Sequence, residues 1–150
     1  MSAVAVGFVV CASLGDPVLL HMGAWLLLHS LCLMGGFLVH EVAHVLGMKV
    51  FRGVTHVAVG FTAARFSVTP IGRLYGWQIA VIAVFGPGAA CAVGALLACF
   101  APGSLLQYWF LLHSAFLLPV FGDGQALITG LKNRNHGFTL RTPETTTRVT

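Results

Sequence analysis

Gly35-Gly36-Phe37-Leu38-Val39-His40-Glu41-Val42-Ala43-His44 decides how this chain of 150 residues is read. Residues four apart on a helix share one face. His40 and His44 therefore project side by side, and two imidazoles at that spacing can grip one zinc ion. Glu41, between them, can reach a metal-bound water and take its proton. The motif sits in an apolar run from Val18 to about Met48, broken only by histidines and by Glu41 itself. Charged groups are costly in such a setting, so the segment points to hydrolytic chemistry inside a membrane.

The rest of the chain agrees with a membrane setting. It is 57% hydrophobic and only 8% charged, with a mean hydropathy of +0.90. A small soluble globule cannot hide that much apolar surface. Cys11, Cys32, Cys91 and Cys99 all lie in apolar runs without a C-x-x-C pair, so they read as small buried hydrophobes and not as a disulfide framework. Residues 1–14 carry no Lys or Arg, which argues against a cleaved signal peptide. The net charge of +4 forms no basic run, and nucleic acid is not expected as a partner.

Working outward from the motif, the expected fold is an all-α polytopic membrane protein. Three core transmembrane helices are expected, with a short N-terminal apolar segment and a small β-hairpin between the first and second core helices. Residues 3–14 are short for a span, and Asp16-Pro17 interrupts them. Val18 to about Met48 is the first core helix. Val54–Phe61 and Arg65–Thr69 alternate and are rich in β-branched residues, which predicts the hairpin. Trp77 to about Phe100 is the second span, with a kink or broken turn expected at Gly86-Pro87-Gly88. Its stripe of Gly86, Ala90, Gly94 and Ala98 lets another helix approach closely. Leu105 to about Phe121 is the third span. A short helix then runs to about Lys132, so residues 1–132 form one domain. Residues 133–150 read as a polar, disordered tail. All Lys and Arg fall within 49–73 and 132–148, which places both stretches on one side. The positive-inside rule makes that side cytoplasmic, and a bacterial cell membrane is the expected location.

A catalytic zinc needs a third protein ligand. The acidic residues are Asp16, Glu41, Asp123 and Glu144. Glu144 lies in the tail and Asp16 near the opposite face, which leaves Asp123. His44 stands five residues before Lys49, and Asp123 nine before Lys132. At about 1.5 Å per residue, both sit roughly 8–14 Å from the same basic boundary.

The order of these features resembles the site-two protease family of intramembrane zinc metalloproteases. HExxH falls on the first core helix. Gly86-Pro87-Gly88-Ala89-Ala90 follows in the second, and Leu118-Pro119-Val120-Phe121-Gly122-Asp123-Gly124 after the third. The resemblance covers Val18 to Lys132. It implies one Zn2+ per chain held by His40, His44 and Asp123, with Glu41 as general base. It also implies that the 54–69 strands offer an edge to an extended substrate, a transmembrane segment of a single-span membrane protein. The family usually carries Asn-x-x-Pro before its Asp-Gly. Here Phe116 stands at the Asn position, and Ser114, His113 and Gln125 are the polar candidates for its role. The expected function is a zinc metalloendopeptidase cleaving within the lipid bilayer. The alternative is a catalytically inactive homologue acting as a membrane zinc-binding or substrate-binding module. A haem protein using paired histidines is a third reading, but it leaves Glu41 and Asp123 unexplained. His21, His29, His56 and His136 read as hydrogen-bonding or surface residues.

Overall fold

The computed structural model describes residues 2–15, 17–62 and 65–140. Asp16, Glu144, the Cys11 side chain and residues 141–150 lie outside the described residues. In chain order the elements are α1 (Ser2–Leu14), α2 (Pro17–Val50), β1 (Val54–Thr62) and β2 (Arg65–Tyr75). They are followed by α3 (Gly76–Phe100), α4 (Leu106–Leu111), a 3-10 stretch (Leu112–Leu117), α5 (Gly122–Lys132) and β3 (Gly137–Leu140). The chain divides into two compact units, Met1–His40 with Gly88–Ser114, and Glu41–Pro87 with Ala115–Thr150.

Gly15, with φ of +68°, ends α1 in the left-handed conformation that glycine adopts without strain. Pro17 then opens α2 at the first helical position, where its missing N–H costs nothing. Among the described residues, α2 and α3 are long and apolar enough to cross a membrane. The 34 residues of α2 extend to about 51 Å at 1.5 Å each, well beyond a 30 Å hydrocarbon core. The side chains of α2 are arranged inside-out relative to a soluble helix. Leu38, Val42, Leu46 and Val50 are exposed, whereas His29, His40 and His44 are buried. Buried polar groups together with exposed large apolar ones are the informative departure from ordinary burial.

Over the third expected span α4 tightens into the 3-10 stretch, a break follows at 118–121, and α5 begins anew at Gly122, where the short helix was expected. Taken together, Leu106–Leu117 and Gly122–Lys132 are apolar enough to form one bent span. Pro119 is the local cause, because it disfavours the helical conformation at Leu118 and supplies no N–H. The new helix starts tightly against the break: a Cβ on Gly124 would run into the carbonyl of Leu118. At Pro87 the helix is not broken, since α3 runs continuously through that residue.

In the Met1–His40 with Gly88–Ser114 unit, the small-residue stripe of α3 is in contact with its neighbours. Ala90 is fully buried. A Cβ on Gly94 would lie 2.9 Å from Leu111 Cγ and 3.1 Å from the Gln107 carbonyl. In the other unit, β1 and β2 form the expected hairpin, paired from Val54↔Gly72 to Thr62↔Arg65. A bulge lies between Val54 and His56, opposite Gly72, whose φ of +143° suits glycine alone. Residues 137–140, read from sequence as disordered tail, instead form β3 and pair with β2 from Gly72↔Leu140 to Tyr75↔Gly137. Among the described residues the sheet thus has three strands in the order β1-β2-β3. Met48, Leu74 and Ile82 form the core of this unit, with Phe51, Val57, Val68 and Leu140 packed on it.

Candidate metal centre

His40, Glu41 and His44 lie within five residues of α2, with His40 and His44 buried and Glu41 half-buried. Asp123 comes from a different kind of position, the first turn of α5. The helix dipole favours a carboxylate there by about 0.3–1 kcal/mol. His44 Nε2 lies 3.4 Å from Asp123 Oδ1. One ligand atom from each of His40, His44 and Asp123 can be chosen so that all lie within 4.8 Å of one another.

These distances can be compared with what a metal requires. Bond lengths of about 2.0–2.2 Å in a tetrahedron place ligand atoms about 3.3–3.6 Å apart. The His44–Asp123 separation of 3.4 Å meets that figure. It is longer than the roughly 2.7–2.9 Å of a good charge-assisted hydrogen bond. Two imidazole nitrogens and a carboxylate are also the donor set that suits zinc.

The His44 ring is oriented by its other nitrogen. Nδ1 donates to the carbonyl oxygen of Ile82 at 2.8 Å. A carbonyl only accepts, so Nδ1 carries a proton, and in the neutral ring the Nε2 lone pair on the Asp123 side is left for a metal. Metal-binding histidines are typically held in this way. The Gly86-Pro87-Gly88 stretch makes the approach possible, because a Cβ on Gly86 would overlap His44 Nε2. Gly47 plays the same part from α2: its Cβ would lie 3.0 Å from Phe85 Cγ.

Gly86→Ala therefore separates two effects. Alanine is the better helix former by about 1 kcal/mol, but its methyl group displaces the His44 ring. The expected result is an intact α3 and a zinc affinity at least about tenfold weaker, as when a ligand loses its orienting partner. Metal titration of the purified variant checks this.

Beside His44 and Asp123 lies a cavity of about 120 Å³, walled also by Val68, Pro70 and Leu74 of β2. Over Arg65–Ile71, β2 pairs with β1 on one edge, and β3 does not join its other edge until Gly72. The stretch of β2 nearest the site thus has an open edge among the described residues. Sequence reasoning missed β3, the Ile82 carbonyl and the reason for Gly86. Gly-Pro-Gly within an apolar span signalled a close approach without naming its partner.

Ser114, Gln125 and His113, the polar candidates considered from the sequence, separate clearly. Ser114 and Gln125 are exposed, while His113 is only 2% exposed. Phe116 is half-buried, its ring 5.1 Å from that of Phe121. His21, His56 and His136 are exposed, and His29 is buried against Trp25. Cys32, Cys91 and Cys99 are free thiols. No protein-family model, curated protein or solved structure matches this chain.

Proposed function

We propose that the chain is an intramembrane zinc metalloendopeptidase. The observation that carries this reading is the tetrahedral-edge spacing of His44 Nε2 and Asp123 Oδ1, one helical turn from His40 and beside Glu41. Bound zinc would polarise the scissile carbonyl and lower the pKa of a bound water toward 7. Glu41 takes the proton of the attacking water on its carboxylate and passes it to the leaving amine. The Ile82 carbonyl keeps His44 in the required tautomer. The open edge of β2 over residues 65–71 receives the substrate as an extended strand, in line with β3. A transmembrane helix must unwind before its peptide bonds can be cut, and strand addition satisfies the backbone groups that unwinding frees.

The three-span topology, with α4 to α5 as a broken third span, belongs to this proposal. Lys49, Arg52, Arg73, Lys132 and Arg134 then lie on the cytoplasmic side by the positive-inside rule. The site sits just below that surface. One observation favours a second reading, a zinc-binding or substrate-binding module that does not cut: the half-buried Phe116 puts an apolar side chain at the position of the family's Asn.

One experiment tests both readings. The protein is reconstituted in vesicles with a single-span substrate whose helix is weakened by Gly and Pro. The protease reading expects one zinc per chain, cleavage within the span, loss of cleavage with a chelator and recovery with zinc. Retained zinc without cleavage supports the second reading. A preparation that binds no zinc rules out both.

A further inference from the structure

His113 is a buried histidine that the proposed reaction does not use. At 2% exposure it is the most buried polar residue among the described residues. A leucine or phenylalanine would fill the same volume without the cost of desolvating an imidazole. Its surroundings are specific. Nδ1 donates to the Trp109 carbonyl at 2.9 Å. That bond places the proton on Nδ1 and makes Nε2 the acceptor. The ring lies against α2 at Gly36, where a Cβ would stand 2.6 Å from His113 Cε1. One turn further along α2 is His40, its ring centroid 5.5 Å from that of His113 and its plane tilted by 47°.

That spacing has a chemical meaning. Two imidazoles joined by a ring N–H···N bond of about 3 Å have centroids roughly 5–5.5 Å apart. A metal-binding histidine donates its second N–H to an outer acceptor, which fixes the ring. Ile82 serves His44 in this way. We infer that His113 is the positioning residue for His40: its Nε2 accepts the His40 N–H as that ring turns to present its other nitrogen to the metal. His29 provides the contrast. It makes the same bond to the carbonyl four residues back, Trp25, at 2.9 Å, but its ring stacks on Trp25 at 3.8 Å. Gly36 is then explained as the residue that lets an imidazole lie against α2 one turn before the first ligand.

The inference rests on the metal reading, and its test keeps the two apart. Zinc affinity is measured by chelator competition on the full chain in detergent, with the visible spectrum of the Co2+ form as a readout of ligand geometry. His113→Leu is expected to weaken zinc about 10–100-fold, the range for losing an outer partner, and to shift the Co2+ bands. His113→Gln, whose Oε1 can accept near the place of Nε2, should return the affinity to within about threefold of wild type. Gly36→Ala keeps every imidazole but pushes His113 aside, so it should reproduce the His113→Leu loss even if that variant folds poorly. Wild-type zinc affinity in both His113→Leu and Gly36→Ala overturns the inference and leaves the metal reading standing. So does a loss of metal-free stability with unchanged zinc affinity, which would mark His113 as a packing residue only. A wild-type protein that binds no zinc overturns both.

Discussion

Glu41→Gln is expected to bind zinc as tightly as the wild type and to lose cleavage by about 10²–10⁴-fold, the contribution of a positioned general base. Each factor of ten is about 1.4 kcal/mol of barrier, so the loss corresponds to roughly 3–5 kcal/mol. The size of the effect follows from chemistry and not from shape. Glutamine keeps the volume and hydrogen-bonding reach of the side chain on α2, but it cannot accept the proton. Metal content and cleavage rate, measured on the same preparation, check the prediction. Cleavage at the wild-type rate would mean that another group is the base.

Asp123→Ala should have the opposite signature and lose zinc. Removing an outer-shell partner costs about 10–100-fold in affinity, and removing a ligand that also carries charge should cost more. The stability of the metal-free protein sharpens the test. Asp123 is half-buried and faces His44, so each variant's zinc-dependent gain is read against its own metal-free form. Zinc at 100 times its Kd stabilises a binding protein by about 2.7 kcal/mol. Wild type and Glu41→Gln should show that increment in thermal unfolding, and Asp123→Ala should not. An equal zinc-dependent gain in Asp123→Ala would remove Asp123 from the ligand set and with it the proposed active site.

The comparison of His40, His44 and Asp123 shows how different kinds of sequence signal behave. The two histidines share a helical face because the period of a helix is local, so five residues suffice to read their relation. The counts from His44 to Lys49 and from Asp123 to Lys132 also gave the two residues similar axial distances from the basic residues. Depth does not give direction around a helix axis, so the sequence did not say that Asp123 faces His44. That depends on where Pro119 stops one helix and how closely Gly124 lets the next one start. His113 belongs to the same class. Its burial was open to suspicion from the sequence, but its place beside His40 depends on the empty space at Gly36.

By itself the sequence determined the apolar helices of α2 and α3, the β1–β2 hairpin, the segregation of basic residues and the paired imidazoles with their intervening acid. These follow from composition and from periods of two and 3.6, which act within a few neighbouring residues. The tertiary structure alone decided the addition of β3, the pairing of His44 with Asp123 and Ile82, and the contact of His113 with His40. Each of these joins residues far apart in the chain through close approach at a glycine or a strand edge, and no local pattern records which distant partner fills that space.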